Sequence, residues 1–194
     1  RLGHPVLREK SRPLSSSFLA KSSTQTLIDN MIETMYEYHG GGLAAPQVHE
    51  SLLLTVIESQ GERGRIPLTV LVNPKVTVLG TNPDADKVED WEGCLSIPEL
   101  RGRVPRFRKL RVEALDRKGG KLNFIAEGFF ARVVQHEYDH LMGHVYLDRM
   151  PDLHTLTHLD EMRRYWLPEE SEESEEPHGT ESPVTQVKSQ DAAS

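Results

Sequence analysis

The sequence predicts an α+β fold: mostly antiparallel strands packed around a central HExxH helix, with one helix before the strands and a short helix after them. Three observations predict it. Apolar residues recur at helical spacing in two segments, near 22–39 and 128–142. Between them lie runs rich in β-branched residues and bounded by turn residues, grouped together instead of alternating with helices, which disfavours repeated βαβ units. The second helical segment carries His136, Glu137 and His140, so two histidines sit one turn apart on one face.

Taken in order, the first helix places Leu27, Ile28, Met31, Ile32 and Met35 on one stripe, and Gly40 follows as a stop signal. "SLLLTVIES" (51–59), "LTVLVNPKVTVLG" (68–80) and "LRVEALDRKGGKLNFIAEG" (110–128) read as strands, the last as a hairpin turning at Lys118, Gly119 and Gly120. Asn82 to Asp86 reads as a polar loop. The second helix covers about 128–142, and a short amphipathic helix around 152–166 closes the fold. No internal repeat is visible.

Charge divides the chain. Of 194 residues with a net charge of −7, those from Pro168 onward hold eight acidic side chains and one lysine. That leaves 22 acidic and 22 basic side chains in the first 167 residues, which are therefore neutral. One folded domain is expected over 1–167 and a disordered acidic tail over 168–194, since the tail has too little apolar surface to offset the entropy of ordering it. A neutral body offers no footprint for sequence-specific nucleic acid binding. No run approaches 18 apolar residues, so no membrane span is expected. The opening "RLGHPVLREKSRPL" is too polar for a signal peptide, which points to the cytoplasm; because it lacks Met, an organellar location after removal of a targeting segment stays open.

HExxH on a helix suits a metal ion, with His136 and His140 as ligands. Glu137 lies about 100° round the helix from His136, where it can reach a metal-held water instead of the metal. Catalytic sites usually have three protein ligands and an open position, so a third ligand is required. A metzincin pattern would need a histidine where Tyr146 stands. A thermolysin-like protease would take a glutamate from a later helix, and Glu161 is so placed, though its charged run "DEMRR" reads more simply as a solvated face. His144 follows His140 by one turn, but Gly143 between them ends the helix. The remaining candidate is Cys94, the only cysteine, in "WEGCLSIPE". It is either a buried core thiol or a ligand.

At these residues the chain resembles the peptide deformylases of bacterial type. Three of that family's motifs occur in order: "GGGLAAPQ" (40–47), "EGCLS" (92–96) and "QHEYDHLMG" (135–143). The resemblance covers about residues 1–166. It implies an enzyme that removes the formyl group from the N-terminal methionine of nascent chains at the ribosome. It implies one divalent metal ion, Fe²⁺ in the cell with Zn²⁺, Ni²⁺ or Co²⁺ as substitutes, held by Cys94, His136 and His140. Glu137 becomes the general acid/base, and Gln47 with the backbone N–H of Leu95 the oxyanion donors. Gly42, Gly41, Arg101 and Phe129 become substrate contacts, and Glu92 with Arg106 a pair bracing the metal loop. Gly41 departs from the family's bulky aliphatic residue, which should leave the methionine pocket wider or its wall more mobile and relax strict methionine selectivity.

The residues suit that chemistry. A formamide carbonyl is a poor electrophile, and an ion with one free position lowers the pKa of bound water. Glu137 can take that water's proton and deliver it to the departing amine. Gln47 would serve the oxyanion beside a hydrolytic metal; taken alone, it reads better as a loop amide capping backbone. Asp139 could accept a ligand histidine's second N–H. The rival readings are a zincin protease using Glu161 and a binding module with a structural zinc.

Overall fold

The computed structural model describes residues 1–61, 63–80 and 86–167. The expected loop at Asn82–Asp86, apart from Asp86, and the expected tail lie outside the described residues. Helices α1 (Ser16–Leu19) and α2 (Ser22–Glu37) precede strands β1 (Gly42–Ala44), β2 (Leu54–Ser59), β3 (Ile66–Val78), β4 (Lys87–Cys94), β5 (Ile97–Phe107), β6 (Lys109–Leu115) and β7 (Lys121–Glu127). Helix α3 (Gly128–Leu141), the two-residue strand β8 (Thr157–His158) and helix α4 (Leu159–Tyr165) follow. All pairings between these strands are antiparallel. They form a five-stranded sheet in the order β1-β2-β3-β6-β7 and a three-stranded sheet in the order β4-β5-β8.

The larger sheet is covered on both faces, and the two-residue strand period assigns each side chain to a face. Leu54 and Val56 of β2 and Val70 and Val72 of β3 pack with Ile28, Met31 and Met35 of α2. Ile57 and Leu71 point the other way, into a cluster with Ala131, Val133 and Val134 of α3. Burial on both faces explains why Leu54 to Ile57 of β2 are all buried, without alternation. Cys94, Ile97, Val104, Val145 and Tyr146 form a third cluster under the smaller sheet.

Several boundaries move. Helix α2 stops at Glu37, and the left-handed residue that ends it is His39, with φ of 52°, not Gly40. Gly40 follows it and donates to the Met35 carbonyl at 2.9 Å, while His39 donates to Tyr36 at 3.0 Å, the paired bonds of a Schellman ending. The final helix is shorter than 152–166 because residues 152–156 form turns before β8. Strands β4 and β5 were not anticipated as such. Their inward positions include Glu92, Gly102 and Arg106, which conceal the apolar alternation. Among the described residues no helix is long and apolar enough to cross a membrane.

Candidate active site

Helix α3 and the β4–β5 hairpin meet at the site. His136 and His140 lie one turn apart on α3, and Cys94 ends β4. The β4–β5 register shifts between Glu92, which faces Gly102, and Cys94, which faces Ile97. Cys94 Sγ lies 3.2 Å from His140 Nε2. One donor atom from each of Cys94, His136 and His140 lies within 4.8 Å of the others, so the three could hold a metal ion. A thiolate with two imidazoles is a donor set for borderline-soft divalent ions. Nearby, the buried Oε2 of Glu137 has no hydrogen-bond partner among the described residues, and neither has His140 Nδ1. An unserved buried carboxylate oxygen is costly unless a bound group addresses it, so these residues fit a cation and its ligands.

Glu92 orients the first histidine. Its Oε2 lies 3.0 Å from His136 Nδ1; a carboxylate only accepts, so Nδ1 carries the proton and Nε2 is left for the cluster. Arg106 holds the same carboxylate through Nε at 2.8 Å and Nη2 at 2.9 Å, and reaches Asp139 through Nη1 at 2.6 Å. Burial alone would raise the Glu92 carboxyl, but the bonds from Arg106 and His136 hold it well below the usual carboxylate range. Burial likewise opposes the charged form of His136, yet the bonds to Cys94 and Glu92 raise it well above the ordinary value. His140 is pushed well below, by burial and then by the neighbouring His136. Asp139 does not take the histidine bond expected of it: Arg106 and Arg149 occupy it, the latter at 2.6 Å.

Burial, more than any neighbouring charge, raises the Glu137 carboxyl to about 7. A Cβ on Gly42 would collide with that carboxyl, so the bare backbone of β1 is what lets it sit there. The Gln47 amide is used at both ends. Its Oε1 accepts from Ala44 N–H at 2.8 Å, the backbone capping that the residue read in isolation suggests. Its Nε2 faces Ser96 Oγ at 3.2 Å and Cys94 Sγ at 3.6 Å. Gly41, Gly42, Leu95, Arg101 and Phe129 join these groups around one cavity of about 660 Å³.

Two candidates fall elsewhere. Glu161 lies exposed on α4 beside Arg164, and His144 lies near Asp148. Ser96, Trp91 and Arg132 also line the cavity and were not singled out by sequence. For Arg132 there was a signal: four residues before His136 is the same helical face.

A family model described as polypeptide deformylase matches residues 1–155. Peptide deformylase 2 of Pseudomonas putida is 42% identical over 158 residues, spanning 78% of this chain and 86% of the relative. The class I type b peptide deformylase from Acinetobacter baumannii, solved with Met-Ala-Ser bound, is similar with a TM-score of 0.71 and 32% identity, covering 77% of this chain and 95% of that one. The peptide deformylase from Synechococcus elongatus, solved with actinonin, has a TM-score of 0.69 and 36% identity over 78% of this chain and 76% of its own.

Proposed function

The chain belongs to the polypeptide deformylase family of hydrolases, and from that premise we propose that it removes the formyl group from the N-terminal methionine of newly made polypeptides, with α3 as the central metal-binding helix. The observation that carries the reading is the convergence of Cys94, His136 and His140 beside Glu137. Those three are the proposed ligands, for Fe²⁺ in the cell and for Zn²⁺, Ni²⁺ or Co²⁺ as substitutes. When bound, the ion supplies Lewis acidity, polarising oxygen and lowering the pKa of water.

The chain's own groups do the rest. Glu137 takes a proton from the attacking water and returns it to the amine as the C–N bond breaks, giving formate and a free N-terminus. A carboxyl poised near 7 is matched to both transfers at neutral pH. Negative charge gathers on the formyl oxygen, where Gln47 Nε2–H and the Leu95 backbone N–H donate. Because Ala44 already engages the other end of the Gln47 amide, the donor end is held toward the cluster before substrate arrives. Gly41, Gly42, Arg101 and Phe129 surround the bound peptide. The proposed partners are nascent chains at the ribosome, in the cytoplasm or in an organelle that starts synthesis with formylmethionine.

The exposed, ion-paired Glu161 lends no support to the protease reading. Structural zinc sites are normally closed by four protein ligands, and the cluster among the described residues offers three. The test measures metal per chain after dialysis and formate release from a formyl-Met-Ala-Ser peptide, with casein as counter-substrate. Cys94→Ala should lose metal and activity together, and Glu161→Ala should keep both. Loss of metal from Glu161→Ala alone, with casein cleavage by the wild type, would replace this reading with the protease.

A further inference from the structure

We infer that Arg132 is a positioning residue for the metal ligands: its guanidinium fastens the helix carrying His136 and His140 to both strands of the hairpin carrying Cys94, and shares the carboxylate that orients His136. The inference rests on the metal reading above.

Arg132 stands one turn before His136 on α3, and its side chain is 8% exposed. Nη1 donates to Glu92 Oε1 at 2.7 Å and to the Val104 carbonyl of β5 at 2.9 Å, with the Asp90 carbonyl at 3.4 Å. Nη2 donates to the Val88 carbonyl of β4 at 2.6 Å. One side chain therefore ties α3 to both strands of the hairpin that carries Cys94. Arg106 forms the opposite tie, from β5 to Asp139 on α3, and both arginines meet on Glu92. Each Glu92 oxygen then has two donors: Arg106 and Arg132 on Oε1, Arg106 and His136 on Oε2.

The chemistry favours arginine at this position. Its planar fork can address a carboxylate and two carbonyls lying in different directions, which a lysine ammonium does less well. Removing it would leave Glu92 Oε1 with one donor and take a donor from the Val88 and Val104 carbonyls, costs that fall on the seam between the ligand-bearing elements. Had the position only needed filling, an apolar residue would avoid the desolvation of a buried charge. The three donors must meet within a few tenths of an ångström, and Arg132 sets the spacing of the two elements that bring them.

The test compares Arg132→Lys with the wild type, both loaded with Co²⁺. Ile28→Ala, in the α2 core away from the site, serves as a control for general destabilisation. Arg132→Lys should bind Co²⁺ more weakly, by up to roughly 10- to 100-fold, the range for losing an outer partner of a metal ligand, and release it faster to a chelator. Its cobalt absorption bands should shift, because the His136 ring is less constrained. Ile28→Ala should lower the melting temperature and leave release and spectrum unchanged. Wild-type release and spectrum in Arg132→Lys would overturn the inference, whatever its melting temperature. If that variant does not accumulate, the wild type still decides: the ¹⁵N guanidinium signals of Arg132 should shift on zinc loading, through Glu92 and His136, and signals that do not move would overturn it. A wild-type chain that holds no cobalt would instead overturn the metal reading itself.

Discussion

Replacing Glu137 by glutamine should separate what the carboxyl contributes to chemistry from what it costs the fold. Burial raises this carboxyl from 4.5 to about 7. Between those values the folded chain retains a proton that the unfolded chain has released, so stability falls as pH rises through the window and levels off above it. At 1.36 kcal/mol per pKa unit the full shift corresponds to roughly 3 kcal/mol. In chelator-treated protein, Glu137→Gln should therefore unfold later than the wild type at pH 8. For a chain of this size the upper bound is roughly 6–12 °C in melting temperature. The difference should vanish near pH 4, where the wild-type carboxyl is protonated in both states. A bound cation would favour the ionised carboxylate and shrink the effect, which is why the comparison is made after chelation. With metal restored, the same variant should keep its ion and lose roughly 10²- to 10⁴-fold in deformylation rate. Equal melting temperatures at pH 8, or a variant less stable at every pH, would mean that the buried carboxylate has a stabilising partner. The assignment of Glu137 as a poised acid/base would then fail.

Gly41→Ile should be accepted with a stability change within roughly 0.5 kcal/mol, since a Cβ there meets nothing closer than the Glu58 carbonyl at 3.8 Å and the position has no positive φ. It should narrow the cavity and raise the kcat/KM preference for formyl-Met over bulkier formyl-Phe peptides by roughly tenfold or more; an unchanged ratio would remove Gly41 from the side-chain pocket. Deleting residues 168–194, whose composition offers little apolar surface to bury, should leave melting temperature and deformylation nearly unchanged. A large fall in either would show that the segment contributes contacts to the body.

Helices α2 and α3 and strands β2, β3, β6 and β7 were legible because their burial is apolar and periodic, whereas the short α1 and the three-residue β1 were not. Ile28, Met31 and Met35 form one stripe on α2, and the β2 and β3 runs are buried on both faces. The smaller sheet was not, because the inward positions of β4 and β5 hold Glu92, Gly102 and Arg106, and Pro98 and Pro105 interrupt the pattern. The partners that make charged side chains tolerable there lie far along the chain: Arg106 meets Asp139, and Glu92 meets Arg132 and His136. Spacing along one helix suggested Asp139 as the acceptor for a histidine. The acceptor came from the hairpin instead, a contact that no local period encodes.

The same distinction bears on which carboxyl can move a proton. Among the described residues three carboxyl side chains are buried: Glu92, Glu137 and Asp139. Glu92 and Asp139 accept bonds from arginines, and Arg106 with the His136 imidazole keeps Glu92 ionised despite its burial. Glu137 accepts no bond from any arginine, has an unserved oxygen, and is raised to about 7 by the same burial. Two buried glutamates near one histidine are thus driven apart, one fixed as an anion that orients His136 and one left near neutrality. Separation of this kind is what lets a site assign one carboxyl to positioning and another to acid/base work. Neither assignment follows from residue type, and both follow from which guanidinium groups reach into the seam between α3 and the hairpin.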